Sequence, residues 1–79
     1  MIKIEQLIPF MRNGWVAMDS NGEWWWFPIE PFMRNQEWIF RGKTEEEGVC
    51  LSGVFNAIAP ADDWKKSLIK IDQVLQEKE

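Results

Sequence analysis

The dipeptide Asn21-Gly22 constrains this chain more than any other feature, because it separates two apolar runs. The runs extend from Trp15 to Met18 and from Trp24 to Phe27. Asn-Gly between strand-like segments is the strongest short-range signal for a β-hairpin with a two-residue loop. With Asn21 and Gly22 as that loop, Met18 is expected to pair with Trp25 and Val16 with Phe27.

This register predicts what each face of the hairpin carries, because residues paired across two strands share a face. One face is apolar except for one indole N–H and is the expected core; it carries Val16, Met18, Trp25 and Phe27. The other face also carries large rings and has a carboxylate near the turn; it comprises Trp15, Ala17, Asp19, Trp24 and Trp26.

The second face supplies the candidate binding surface, which we define as Trp15, Asp19, Trp24 and Trp26. Clustered exposed Trp is typical of a binding surface, because Trp is enriched at interface hot spots and large apolar patches are unfavourable in water. Three arrangements are open: a helix covers the rings, a partner protein binds them, or they form a stacking platform for a sugar. A homodimer that hides this face is a further arrangement.

The length of the chain predicts a single domain over residues 1–79. A short helix is expected within 1–14, a sheet with loops over 15–58, and a helix over 60–77. Glu37–Arg41 is a predicted strand, and Val49–Leu51 is a candidate for a short fourth one. The predicted fold is therefore α+β, an antiparallel sheet of three to four strands with a short N-terminal helix and a C-terminal amphipathic helix packed on it.

The prediction of a C-terminal helix is based on a narrow apolar stripe. Its members recur at helical spacing and are Trp64, Leu68, Ile71 and Leu75. Pro60 suits a first helical turn, and the acidic pair Asp62-Asp63 would face the positive end of the helix dipole.

One pentapeptide occurs twice, as Pro9–Asn13 and as Pro31–Asn35. The identity does not extend outward, so it does not predict a repeat architecture. Similar turn chemistry before a strand is the favoured interpretation, and a two-fold binding motif is the alternative.

The composition argues against catalysis. There is no histidine, which removes the commonest general base and the commonest zinc ligand. Cys50 is the only cysteine and lies in an apolar segment, where a thiol is usually inert. The run Glu45–Glu47 is expected to be solvated, and no Gly-rich phosphate loop is present. We expect a protein that is not an enzyme, with no catalytic residue, no cofactor and no metal.

Charge and hydropathy restrict the partners. The net charge is −4, whereas a nucleic-acid-binding protein usually presents a basic face, so direct nucleic-acid binding is not expected. No apolar run approaches the ~20 residues that span a bilayer, and no signal peptide is apparent. The expected location is the cytoplasm, without membrane contact.

Three segments of the chain read IEQLIPFMRNGW, WVAMDSNGEWWWF and FNAIAPADDWKKSL. They resemble a family of small bacteriophage and prophage proteins that has no established activity. The shared pattern is a Gly-Trp-Val-Ala opening, an Asp-x-x-Gly turn before an aromatic strand, and a Trp-x-x-Ser-Leu helix near the end. The resemblance covers most of the chain and is loose from Pro31 to Gly48. It implies a viral or prophage accessory protein in the host cytoplasm and assigns no functional residue.

The function expected from the sequence is therefore that of a non-enzymatic accessory protein that binds another protein, of host or phage origin. Two alternatives accompany it. An acidic inhibitor that mimics a nucleic acid against a host defence protein would need Glu45–Glu47, Asp62 and Asp63 on one face. A carbohydrate-binding module would need Trp15, Trp24 and Trp26 exposed in one plane.

Overall fold

The computed structural model describes residues 1–42, 45–55 and 57–72. Within these ranges the fold is α+β, with a short N-terminal helix, a four-stranded antiparallel sheet and a separate two-stranded hairpin. The helix α1 spans Ile4–Leu7. The strands are β1 Gly14–Met18, β2 Trp24–Phe27, β3 Phe32–Arg34, β4 Glu37–Ile39, β5 Val49–Cys50 and β6 Ile69–Ile71. The larger sheet has the order β5-β2-β1-β6, and β3 pairs with β4.

The short helix predicted within residues 1–14 is confirmed. Ile4 and Leu7 bury one side of α1, and the Lys3 backbone N–H donates to the Gln6 side chain at 2.9 Å, which closes the first turn. Pro9 lies in the 3-10 turn Ile8–Phe10 that follows, near its beginning, where a missing N–H removes no helical hydrogen bond.

The hairpin predicted at Asn21-Gly22 exists, but its loop has three residues rather than two. The Asp19 N–H donates to the Glu23 carbonyl at 2.9 Å, and the Gly22 N–H donates to the Asp19 carbonyl at 2.9 Å. Gly22 has φ 91°, a left-handed conformation that suits glycine. This is the pattern of a type I turn closed by a glycine bulge, the next most common hairpin connection.

The extra loop residue shifts the register by one, so the predicted assignment of β2 side chains to faces is wrong. Met18 pairs with Trp24 and Val16 with Trp26. A one-residue shift moves every β2 side chain to the opposite face of the sheet. The first face therefore carries Val16, Met18, Trp24 and Trp26, and the second carries Trp15, Ala17, Trp25 and Phe27.

Both faces are covered, each by its own cluster. On the first face, α1 and the 3-10 turn Leu51–Gly53 pack on the sheet. The buried partners are Ile4, Leu7, Leu51, Ile58 and Ile71. On the second face, Trp38 of β4 packs with Ala17 and Phe27, and partly buried Trp64 and Leu68 complete the cluster. The hairpin β3–β4 thus covers the side of the sheet that sequence reasoning left open.

The predicted C-terminal helix is wrong over the residues that the structure describes. Trp64–Lys66 forms a single 3-10 turn, and β6 then pairs antiparallel with β1, with Gly14 opposite Ile71 and Val16 opposite Ile69. Pairing with β6 gives β1 hydrogen-bond partners that an isolated helix could not supply. The last part of the predicted helix, residues 73–77, lies outside the described ranges.

The remaining strands agree in part with expectation. The strand predicted over Glu37–Arg41 is present as β4, and the short strand predicted at Val49–Leu51 is present as β5, which pairs with β2. Strand β3 was not predicted. Asn35 and Gln36 connect β3 to β4 with φ of 53° and 66°, the left-handed pair of a type I′ turn.

Candidate functional site

The four residues of the predicted binding surface do not share one surface. Trp24 and Trp26 are buried on the first face, with 2% and 6% of their area exposed, whereas Trp15 is half-buried on the second face. Asp19 is also buried, at the end of β1. The register shift is the cause, and it means that these three indoles do not form one exposed plane. A binding role for Trp15 or Asp19 stays a prediction.

The buried indoles of β2 instead hold the fold together. The Trp24 Nε1–H donates to the Ala59 carbonyl at 3.1 Å, and the Trp26 Nε1–H donates to the Arg12 carbonyl at 3.2 Å. The Arg12 guanidinium lies 5.0 Å from the Trp26 ring centroid, in cation–π range. Both rings therefore tie neighbouring segments to the sheet.

A cleft of about 420 Å³ opens between the two hairpins, and we call it the inter-hairpin cleft. Its walls include four aromatic side chains: Trp25, Phe27, Trp38 and Phe40. Three carboxylates also line it: Asp19, Glu37 and Glu47. Its volume lies within the ~300–1,000 Å³ range of ligand pockets, and aromatic walls with a few polar groups are typical of such sites.

Trp38 is the most firmly held wall of the cleft. Its backbone N–H donates to Asp19 Oδ1 at 2.8 Å, and its indole Nε1–H donates to the Trp64 carbonyl at 3.2 Å. Its ring meets the Trp64 ring edge-to-face with centroids 6.4 Å apart. These contacts fix both the position and the orientation of the ring before any ligand arrives.

The opposite wall is built from β2 and the residue after β4. Phe27 and Phe40 meet edge-to-face, with ring centroids 5.8 Å apart. Trp25 is half-buried on the same face of β2, and its Nε1 atom is inaccessible to solvent with no hydrogen-bond partner among the described residues. An unpaired buried N–H costs about 1–3 kcal/mol, which makes Trp25 the least satisfied polar side chain of the cleft.

The three carboxylates give the cleft lining a negative charge. Burial raises the pKa of Asp19 above its usual value, Glu37 and Glu23 raise it further by charge repulsion, and the Trp38 N–H opposes the shift. In the described part of the chain, the ion pairs are Arg12–Glu46 and Lys70–Asp72. Neither involves a carboxylate of the cleft.

Of the residues that line this cleft, the sequence predicted only Asp19 as part of a binding surface. Trp25 and Phe27 were expected in the core, because the two-residue loop placed them on the predicted core face. The contact of Trp38 with them depends on how β3–β4 folds over the sheet. The short hairpin signal at Asn35-Gln36 was the local feature that could have indicated this second hairpin.

A second cavity, of about 540 Å³, lies on the other side of the sheet near α1. Its charged lining is mixed in sign and includes Lys3, Glu5, Asp62 and Lys66. The Trp24 indole also lines it, but its N–H is already paired with Ala59. This cavity therefore lacks the excess of carboxylates that lines the inter-hairpin cleft.

The described residues include neither a metal-binding cluster nor a membrane-spanning helix. In residues 1–42, 45–55 and 57–72, no group of three or more Cys, Asp or Glu side chains is arranged to hold a metal ion. Cys50 is a half-buried free thiol. Over the same ranges, no helix combines the length and the apolarity that crossing a bilayer requires.

Comparison with known proteins gives no match: no family model, no curated protein and no solved structure is significantly similar to this chain.

Proposed function

We propose that this protein is a non-enzymatic accessory protein that binds a segment of another protein in the inter-hairpin cleft. The observation that carries the proposal is the pair Trp25 and Trp38, two indoles from different hairpins that line one cleft. Trp is among the residues most enriched at the centre of protein interfaces. A cleft of this volume accepts one or two side chains of a partner rather than a large ligand.

The rigidity of one wall supports this proposal. Trp38 is held at its backbone and at its indole by hydrogen bonds and by its contact with Trp64. A preformed wall loses little conformational entropy on binding, and lower ordering costs raise affinity. The exposed flank of β3, where Phe32 and Met33 are 43% and 47% exposed, offers apolar surface on the same hairpin.

The two alternative functions have less support. A sugar platform needs rings in one exposed plane, and Trp24 and Trp26 are buried. A nucleic-acid mimic needs an uninterrupted acidic face, whereas Glu46 pairs with Arg12 and Asp63 lies beside Lys65 and Lys66. The phage or prophage origin that the resemblance implies stays a prediction.

Selection from a random peptide library, followed by NMR mapping, tests the proposal. The ¹⁵N-labelled protein carries six indole N–H signals, one for each Trp, which report on separate sites. Selected peptides are expected to shift the signals of Trp25 and Trp38 and to leave that of Trp24, which is bonded to Ala59 on the other side of the sheet.

Two results would refute the proposal. One is a selection that enriches no binding peptide. The other is a set of binding peptides that shift Trp24 and leave Trp25 and Trp38 unchanged, since this would place the binding surface elsewhere. Phe10→Ala is the matched control variant, because Phe10 is 86% exposed and outside the cleft lining, and it should retain peptide binding.

A further inference from the structure

We infer that the inter-hairpin cleft is selective for a cationic side chain, the ammonium of a lysine or the guanidinium of an arginine on the partner protein. This inference rests on the proposed function, because it specifies which group of a partner segment enters the cleft. It goes further by assigning a charge to that group.

The aromatic walls of the cleft favour a cationic occupant. Trp25 and Trp38 are the rings with the strongest attraction for a cation, since the indole face carries the largest negative quadrupole of the natural side chains. Phe27 and Phe40 add two further rings. Aromatic walls alone would also accept a neutral apolar side chain, so the charge of the lining decides between them.

The carboxylates that line the cleft also favour a cationic occupant. Asp19 is only 9% exposed, and one of its oxygens is occupied by the Trp38 N–H. Glu37 and Glu47 are exposed residues of the same lining. Within the described residues, no Lys or Arg forms an ion pair with any of the three. The cleft lining thus concentrates negative charge, because it includes the desolvated carboxylate of Asp19 and two further carboxylates but no described Lys or Arg.

Charge complementarity then selects the occupant. An anionic group would meet three carboxylates, and a neutral group would leave their repulsion unrelieved. A lysine or arginine side chain brings an apolar stem for the rings and a positive end for the carboxylates. The other cavity of the protein serves as an internal contrast, because Lys3 and Lys66 accompany the acids that line it.

The test uses three single-residue probes that differ in charge. They are the N-acetyl methylamides of lysine, arginine and norleucine, of which norleucine is the neutral analogue of lysine. Each is titrated into the ¹⁵N-labelled full chain, and the indole N–H signals are followed. Lysine and arginine are expected to shift Trp25 and Trp38 in a saturable way, norleucine to bind at least about threefold more weakly, and Trp24 to stay unchanged.

Paired variants separate a local effect from a general effect of net charge. Glu37→Gln/Glu47→Gln removes two carboxylates from the cleft, and Glu5→Gln/Asp62→Asn removes two from the other cavity. Both double variants change the net charge by the same amount at exposed positions. The first should weaken binding of the lysine probe by about three- to tenfold, and the second by less than about twofold.

Three results would contradict the inference, and each has a different meaning. Equal binding of norleucine and lysine would overturn the charge selectivity while leaving the cleft as a protein-binding groove. Equal loss in the two double variants would also overturn it, because the effect would then come from net charge alone. If no probe shifts Trp25 or Trp38, the inference fails, whereas the fate of the proposed function is decided separately by the peptide selection.

Discussion

Asp19 and Trp38 join the two hairpins: the backbone N–H of Trp38 donates to Asp19 Oδ1 at 2.8 Å. A second contact lies beside it, from the Ser20 N–H to the Gln36 carbonyl at 3.3 Å. The carboxylate of Asp19 thus positions β4, the strand that carries Trp38 into the cleft. Asp19 therefore affects the free energy of unfolding in two ways: its oxygen accepts a hydrogen bond, and its charge is buried.

Replacement of Asp19 separates these effects. In Asp19→Asn the side-chain oxygen can still accept the Trp38 N–H, and the buried charge is gone. We expect stability at neutral pH equal to or above that of the wild type. Asp19→Ala removes the acceptor and should lower the free energy of unfolding by about 1–3 kcal/mol. Chemical denaturation measures both, and equal losses in the two variants would contradict the role of the hydrogen bond.

The pH dependence of stability gives an independent check on Asp19. Its pKa is raised in the folded state above the ordinary value of 3.8, so the folded state binds the proton more tightly than the unfolded state. The contribution of Asp19 to stability is therefore largest below that ordinary value and falls as the pH rises through the raised folded pKa. The free energy of unfolding of the wild type minus that of Asp19→Asn should decrease over this window and then level off. An increase over the window would mean that the folded pKa is lowered.

Ser67 is expected to be a strong contributor to stability for its size. It is 4% exposed, and its Oγ accepts the Met18 backbone N–H at 2.8 Å. Ser67→Ala would leave that buried N–H unpaired, at a cost of about 1–3 kcal/mol. Ser52 is the matched control, since its Oγ accepts the Trp24 N–H at 3.1 Å but the residue is exposed. Thermal or chemical unfolding should show a smaller loss for Ser52→Ala, because water can replace the hydroxyl.

Gly14 is predicted to be intolerant of any side chain. A Cβ atom there would lie 2.5 Å from the Phe27 carbonyl oxygen and 2.8 Å from the Trp26 Nε1 atom. Gly14→Ala should therefore destabilise the fold by about 1–3 kcal/mol or more, as overpacking does. Gly53→Ala is the control, since no atom lies within 4 Å of its added Cβ. A melting temperature for Gly14→Ala equal to that of Gly53→Ala would show that the approach of β1 to β2 at this point is looser than described.

Gly22 tests the turn by its backbone conformation rather than by space. An added Cβ would meet nothing within 4 Å, yet the φ of 91° is unfavourable for other residues. Gly22→Ala should cost about 1 kcal/mol, and Gly22→Asn less, because Asn tolerates left-handed conformations better. The order of the two melting temperatures is the measurement. Alanine at least as stable as asparagine would count against a left-handed residue at this position.

The sequence predicted the central hairpin but not its register, and the reason is local. Asn21-Gly22 fits a two-residue loop and also the last two positions of a three-residue loop, and both place Gly22 in a left-handed conformation. The two loops differ little in local energy. The choice is made by which set of β2 side chains packs best, Trp24 and Trp26 against α1 and its neighbours, and this is a long-range property.

The C-terminal segment illustrates a second limit. Trp64, Leu68 and Ile71 are all at least partly buried, but Leu68 and Ile71 pack on opposite faces of the sheet and do not form the predicted stripe. They lie in a 3-10 turn, in the link that follows it and in a strand. Helical spacing over so few residues does not exclude this outcome. The competing factor is β1, whose second edge is paired by Ile69–Ile71. The candidate cleft was missed for a related reason, because its two indoles come from hairpins whose packing no local pattern encodes.

The pentapeptide that occurs twice now has a physical meaning. In the first copy, Pro9 and Phe10 end a 3-10 turn, whereas in the second, Phe32 to Arg34 form a strand. Identical residues have identical intrinsic preferences, so the free-energy difference between the two conformations must come from their surroundings. As isolated peptides, the two copies would have the same conformational ensemble. Only their surroundings in the folded protein give them different conformations.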